Sequence, residues 1–128
     1  MTPRVGIVGA GLSGLAAART LRLHGVSDVV LFDKGRRPGG RMGTREHGEP
    51  RFDHGAQSVT VREPRFAPWL LQGLGERWIQ ERKGTLVQIR GTEIEIAKVG
   101  NRFVGVPGMF EGPRRLADGL DVRSGVRV

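Results

Sequence analysis

The chain has 128 residues, with 21 Lys and Arg against 13 Asp and Glu, a formal net charge of +8 and no cysteine. That length fits about one domain, and the missing cysteines exclude disulfides and thiolate metal sites. No apolar run approaches the roughly 18 residues of a membrane span. The arginines are spread along the chain and aromatic residues make up only 5% of it. The charge is therefore read as solvated surface plus phosphate ligands, ahead of a nucleic-acid interface with stacking platforms.

The N-terminus reads almost directly into a strand, without the basic and apolar regions of a signal peptide. Arg4 is the only charged side chain among the first eighteen residues. A cytoplasmic protein without a membrane partner is expected. Residues 4–8, rich in Val and Ile, predict a buried strand. Residues 12–24 carry Leu12, Leu15, Ala16, Ala18 and Leu21 at helical spacing, and Ala16-Ala17-Ala18 adds helix propensity. Gly25 suits the helix stop. Residues 28–32, DVVLF, predict a second strand closed by Asp33. Strand, glycine turn, helix and strand make one βαβ unit, with a right-handed crossover and parallel strands.

Residues 34–50 are dominated by Gly, Arg and Pro and predict a loop. Residues 56–62 predict a strand. Residues 65–82 carry Phe66, Trp69, Leu70, Leu74, Trp78 and Ile79 at roughly helical spacing, which predicts one or two helices broken near Gly73 and Gly75. The two tryptophans are read as core. Residues 85–90 and 93–98 alternate as half-buried strands do, joined by a tight Gly91-Thr92 turn. Residues 102–106 predict a third short strand. Leu116 and Leu120 predict a short helix after Pro113, and DVRSGVRV a strand, a turn and the start of another strand.

The segment VGIVGAGLSG places Gly9, Gly11 and Gly14 in a G-x-G-x-x-G pattern straight after the first strand. Gly9 permits the tight turn. Gly11 lets backbone approach a pyrophosphate, and Gly14 lets helix and strand pack closely. The free N–H groups and dipole of the helix start favour a phosphate anion. Asp33 is placed to accept hydrogen bonds from an adenosine ribose, and its charge argues against a 2′-phosphate there. The pattern alone does not separate NAD from FAD.

Residues 33–45 read DKGRRPGGRMGTR. Gly39 and Gly40 can fold the loop over cofactor phosphates, and Arg41 can supply charge-assisted hydrogen bonds to them. Met42, Gly43 and Thr44 would then lead toward the redox ring. The bland alternative is a basic surface loop.

VGIVGAGLSG, DKGRRPGGRMGTR and FDHGAQSVTV, in that order, resemble the N-terminal part of the FAD-dependent amine oxidase superfamily. The D-K, GGRM and GAQ patterns, with FVGVPGMFEGPRRLADGLDVRSGVRV, are similar to its renalase-like subgroup. The resemblance implies an α/β fold: a Rossmann-like FAD/NAD(P)-binding βαβ sheet with a small β-rich insertion, incomplete here. It implies noncovalent FAD, since there is no cysteine for a cysteinyl bond. Leu12 and Ser13 would lie at the pyrophosphate turn, Asp33 at the ribose with Lys34 beside it, and Arg41 at the phosphates, with Gly40 and Met42 also among the cofactor-binding residues. Gln57 and Ser58 would lie near the flavin end, and Val128 near the adenine. Asp53 would order the loop. His54 is either a general base or a solvent-facing or loop-bonding histidine, the second being preferred; His24 and His47 are given no role.

The resemblance divides the chain into a nucleotide-binding region (1–62), the start of a substrate region (63–106) and a return to the nucleotide sheet (107–128). An N-terminal portion of a longer enzyme is expected, against the alternative of a small protein reusing the nucleotide-binding half. The implied chemistry is hydride transfer from a small reduced substrate, a dihydronicotinamide isomer or an amine, with dioxygen as acceptor. A binding module without its own activity is the rival expectation.

Overall fold

The computed structural model describes residues 3–75, 77–97 and 101–128. The chain order is β1 (Val5–Val8), α1 (Leu12–Leu23), β2 (Val29–Asp33), β3 (Thr44–Glu46), β4 (Arg51–Asp53), β5 (Val59–Thr60), α2 (Phe66–Pro68), β6 (Ile79–Glu81), β7 (Val87–Arg90), β8 (Glu93–Ile96), β9 (Arg102–Gly105), α3 (Glu111–Ala117) and β10 (Asp121–Ser124).

The βαβ unit forms as its sequence predicts. β1 and β2 pair in parallel, Val5 opposite Val29 through Val8 opposite Phe32. On its other side β2 pairs in parallel with β10, so the sheet order is β1-β2-β10. The apolar stripe of α1 drives the packing: Leu15 and Ala18 are fully buried with Val29 and Leu31 of β2. α1 ends in a Schellman motif: the Val26 N–H donates to the Leu21 carbonyl and the Gly25 N–H to that of Arg22, 3.0 and 3.1 Å. Gly25 takes φ +86°, where a side chain would be strained.

α3 lies beside α1, and arginines join them. Arg19 donates through Nε to the Leu116 carbonyl (2.9 Å) and through Nη2 to those of Arg115 (3.2 Å) and Asp118. Arg22 donates to the Gly119 carbonyl. These guanidinium groups satisfy carbonyls that the end of a helix leaves unpaired, and they suit its negative dipole end.

The middle of the chain departs from several expectations. The predicted loop at 34–50 contains a 3-10 turn, Gly40–Met42, and the strand β3, which pairs antiparallel with β4. A strand whose partner lies across a polar turn has little local signature; the Glu46–Arg51 ion pair, 3.4 Å, sits within that register. The strand predicted at 56–62 is confined to β5. The helix predicted over 65–82 is only α2 and a following π turn, Trp69–Gly73. The apolar spacing beyond it serves other ends: Trp78 is fully buried and donates through Nε1 to the Leu70 carbonyl at 3.0 Å, and Ile79 opens β6. Trp69 is half-buried and stacks on Phe66, centroids 5.3 Å apart.

β7 and β8 form the predicted hairpin around Gly91, φ +61°; Lys98, at the predicted end of the second strand, lies outside the described residues. β9 does not extend this hairpin. It pairs antiparallel with β5 and β6, in the order β5-β9-β6. α3 starts at Glu111 rather than after Pro113 and ends before Leu120. Residues 126–128 are not a strand; the Val126 N–H instead donates to the Asp33 carbonyl at 2.9 Å.

Candidate functional site: a cleft between the glycine turn and the end of the second strand

A cleft of about 720 Å³ opens where β1 and β2 end. It is lined by Val8, Gly9, Phe32, Asp33, Lys34, Gly35, Arg37, Gly40, Arg41 and the tail Val126-Arg127-Val128. Two separated sequence motifs meet here. The Gly39 N–H donates to the Ala10 carbonyl at 2.8 Å, and Gly11 and Gly39 form a parallel bridge. Contact between the loops is close: a Cβ on Gly40 would stand 3.4 Å from the Gly11 Cα.

The glycines of the first turn have different local reasons. Gly9 takes φ +99°, which turns the chain out of β1. A Cβ on Gly14 would collide with the Gly9 carbonyl oxygen and meet Ile7 Cγ2 at 3.4 Å. A Cβ on Gly11 would meet nothing within 4 Å, so that position faces open space. The first intrahelical bond of α1 is Leu15 N–H to the Gly11 carbonyl, 3.0 Å. The amides of Leu12, Ser13 and Gly14 precede it, and Gly11 has no side chain to cap them.

Asp33 holds the cleft together from the side. Its Oδ2 accepts from the Ala10 N–H and its Oδ1 from the Gly35 N–H, each at 2.6 Å. An ionised carboxylate has about four acceptor positions, so these bonds leave it free to take hydroxyl donors.

The predicted residues divide. Gly9, Asp33, Lys34, Gly40, Arg41 and Val128 line the cleft. Gly11, Leu12, Ser13 and Gly14 form the turn beside it; Leu12 packs against the core and Ser13 is exposed. Met42 is 7% exposed, so its side chain is part of the interior rather than the cleft wall. Gln57 is exposed and Ser58 half-buried, and neither lines the cleft. Their turn nonetheless packs on the glycine–arginine loop: the Ala56 N–H donates to the Arg41 carbonyl at 2.8 Å, and a Cβ on Gly55 would collide with that oxygen.

Asp53 has the ordering position expected of it. Its Oδ1 accepts from the Thr44 hydroxyl and, at 3.0 Å, from the Met109 N–H. The Thr44 hydroxyl oxygen accepts from the Phe110 N–H at 3.2 Å. These bonds fasten the β3–β4 hairpin to the start of α3. His54 is exposed and lies against Gly43. Arg37, Gly35 and Arg127 line the cleft without having been singled out; Arg37 stands inside the stretch already suspected of phosphate binding, whereas Arg127 carried no pattern.

No helix among the described residues is long and apolar enough to cross a membrane, and no group of acidic and histidine side chains among them could hold a metal ion.

Comparison with known proteins places this geometry. Residues 7–70 match the NAD(P)-binding Rossmann-like domain family. A tryptophan 2-monooxygenase of Pseudomonas savastanoi is 44% identical over 73 residues, 57% of this chain and 13% of that protein. A mitochondrial protoporphyrinogen oxidase of Nicotiana tabacum is 32% identical over 106 residues, 74% of this chain and 21% of that protein. A putrescine oxidase solved with putrescine aligns with a TM-score of 0.55 and 34% identity, over 77% of this chain and 22% of that one. The chain thus spans only a small part of the length of each. The α/β architecture with its parallel sheet agrees with these matches. The chain belongs to the NAD(P)-binding Rossmann-like domain family, and the relatives it resembles are oxidoreductases.

Proposed function

We propose that this chain is the dinucleotide-binding portion of an FAD-dependent oxidoreductase. The observation that carries the reading is the meeting of the glycine turn, the Gly39-Gly40-Arg41 loop and the Asp33 carboxylate around one cleft. The residues fit a dinucleotide. Gly11 leaves open space beside the first amides of α1, which no side chain caps, and a pyrophosphate would sit there. Arg41 and Arg37 offer guanidinium donors to the phosphates. Asp33 would accept from ribose hydroxyls, with Lys34 beside it, and the backbone at Val128 would border the adenine. Noncovalent binding of the cofactor is part of the proposal; these 128 residues carry no cysteine for a cysteinyl-flavin bond.

When bound, FAD would supply a two-electron acceptor for a hydride from a small reduced molecule, with dioxygen as the final oxidant. This chain's own residues bind and orient. Asp33 fixes the sugar, the glycine turn fixes the diphosphate, and the Ala56–Arg41 hydrogen bond fixes the loop leading toward the ring end. Renalase-like chemistry on dihydronicotinamide isomers is the finer proposal, supported by the D-K, GGRM and GAQ patterns. Amine oxidation is its competitor, supported by the likeness to a putrescine oxidase.

The purified protein should carry oxidised-flavin absorbance and should bleach anaerobically on mixing with dihydronicotinamide isomers. Bleaching with primary amines alone would remove the finer proposal. Absence of flavin binding after incubation with FAD would remove the whole reading. A second reading, a binding module without activity, is favoured by one observation: Gln57 and Ser58, expected near the flavin end, do not line this cleft. Flavin binding without turnover would support it.

A further inference from the structure

A second cleft, of about 710 Å³, is separate from most of the residues above. It is lined by Arg36, Arg37 and Pro38 after β2, Gly43, Thr44, Arg45 and Glu46 of the β3 arm, His54, and Phe110 and Arg114 at the start of α3; only Arg37 and Gly40 belong to both clefts. Arg36, Arg37, Arg45 and Arg114 all line it, and Glu46 is the one carboxylate among its lining residues. That carboxylate is already shared, 3.5 Å from Arg37 Nη1 and 3.4 Å from Arg51 Nε. Arg114 is held by Glu111 through Nε and Nη2, both at 2.6 Å. The pairing fixes the head of Arg114 while its side chain stays 62% exposed. Arg36 and Arg45 are exposed, and no ion pair engages them among the described residues.

Like charges gathered around one concavity repel one another, and a polyvalent anion among them relieves that repulsion. A free guanidinium fork matches phosphate oxygens in pairs; Arg36 and Arg45 keep theirs, while Arg114, its Nε and Nη2 given to Glu111, contributes its charge. Pro38 and Phe110 add an apolar surface to the same wall. We propose that this cleft binds a phosphate ester, its phosphate between Arg36, Arg45 and Arg114 and its organic part against Pro38 and Phe110. The site is distinct from the proposed dinucleotide cleft and does not depend on that reading. Because Arg37 and the loop through Gly40 wall both clefts, an occupant here bears on the loop that closes the other.

Phenyl phosphate is the probe, titrated calorimetrically at fixed ionic strength, without and with saturating FAD. It should bind in both conditions, and more tightly than inorganic phosphate because of the apolar wall. The double variant Arg36→Ala/Arg45→Ala should weaken binding at least about tenfold, the effect of losing charge-assisted hydrogen bonds. Lys34→Ala/Arg127→Ala, which alters only the dinucleotide cleft, should leave it unchanged. All four side chains are exposed, so the variants should fold, and thermal melts check this. The proposal is overturned if the loss follows Lys34 and Arg127 instead, if Arg36→Ala/Arg45→Ala binds normally, or if FAD displaces the probe completely. Equal affinity for phenyl phosphate and inorganic phosphate would also overturn the phosphate-ester assignment.

Discussion

The carboxylate of Asp33 reaches across from the end of β2 to the backbone N–H of Ala10, 2.6 Å away, in the turn that leaves β1. Its other oxygen takes the Gly35 N–H at the same distance. One side chain thus fixes the relation of two strand ends before any ligand arrives. Asp33→Asn exchanges a charged acceptor for an amide with a single oxygen. At least one of those backbone donors, or the ribose, loses its partner. We expect a loss of stability of about 1–3 kcal/mol and FAD affinity at least about tenfold weaker, read by denaturant titration and by quenching of flavin fluorescence. A stable variant that binds FAD normally would show that Asp33 neither braces the turn nor meets the sugar.

Gly11 and Gly14 look equivalent in the motif but differ in their surroundings, and two variants separate them. Gly14→Ala drives a methyl group into the Gly9 carbonyl. It should destabilise the fold by at least about 2 kcal/mol, since backbone on both sides cannot yield cheaply. Gly11 has φ −78° and ψ −178°, a conformation alanine adopts freely, and open space beyond it. Gly11→Ala should change stability by no more than about 0.5 kcal/mol. It should nevertheless weaken FAD binding by about tenfold or more, because the methyl would take the room proposed for the diphosphate. Melting curves and flavin titrations on the two variants check the contrast.

The legible parts of this molecule are those whose cause is local. β1, α1 and β2 follow from an apolar run, an alanine-rich amphipathic segment and glycines at the required turns, and Asp33 falls where strand geometry puts it. The β7–β8 hairpin is written in alternation around Gly91. The missed parts depend on distant partners. Ile79 looks helical in spacing but pairs with Gly105 in β9. Met42 stands in a cofactor-like motif, yet its side chain is taken into the interior. Arg127 reaches the cleft because the tail is tied to Asp33 and Gly35 by backbone bonds, 2.9 and 2.8 Å, that no local pattern announces.

Glu111 gives a pH signature. It is 6% exposed, and Arg114, the largest influence, together with Arg115 holds its carboxyl down to about 2 from an ordinary 4.5, against the opposing cost of burial. A carboxyl whose folded value is depressed binds its proton more weakly in the folded chain than in the unfolded one. Its contribution is therefore complete above about pH 4.5 and disappears as the pH falls toward about 2. The size is at most about 3 kcal/mol. Wild type minus Glu111→Gln, by urea unfolding at steps from pH 6 to pH 2.5, should shrink steadily below pH 4.5. A difference constant across that range would mean that the Arg114–Glu111 pair is not formed in solution.

The β7–β8 hairpin shows an unusual division of its faces. Val87 stands opposite Ile96 and Ile89 opposite Ile94, all on one side, with exposures of 49, 75, 65 and 69%. Gln88, Glu95, Arg90 and Glu93 occupy the other side. Apolar side chains left in water add little to folding, since they are hydrated in both states, yet a contiguous apolar patch beside strand edges promotes self-association. Ile89→Thr/Ile94→Thr keeps β-branched residues on the strands and removes much of the patch. Stability should change by no more than about 0.5 kcal/mol, while light scattering should show less concentration-dependent association than in wild type. A fall in stability of several kcal/mol would instead mean that the folded chain covers this face in solution, and the hairpin would then have to stand differently against the β5-β9-β6 sheet.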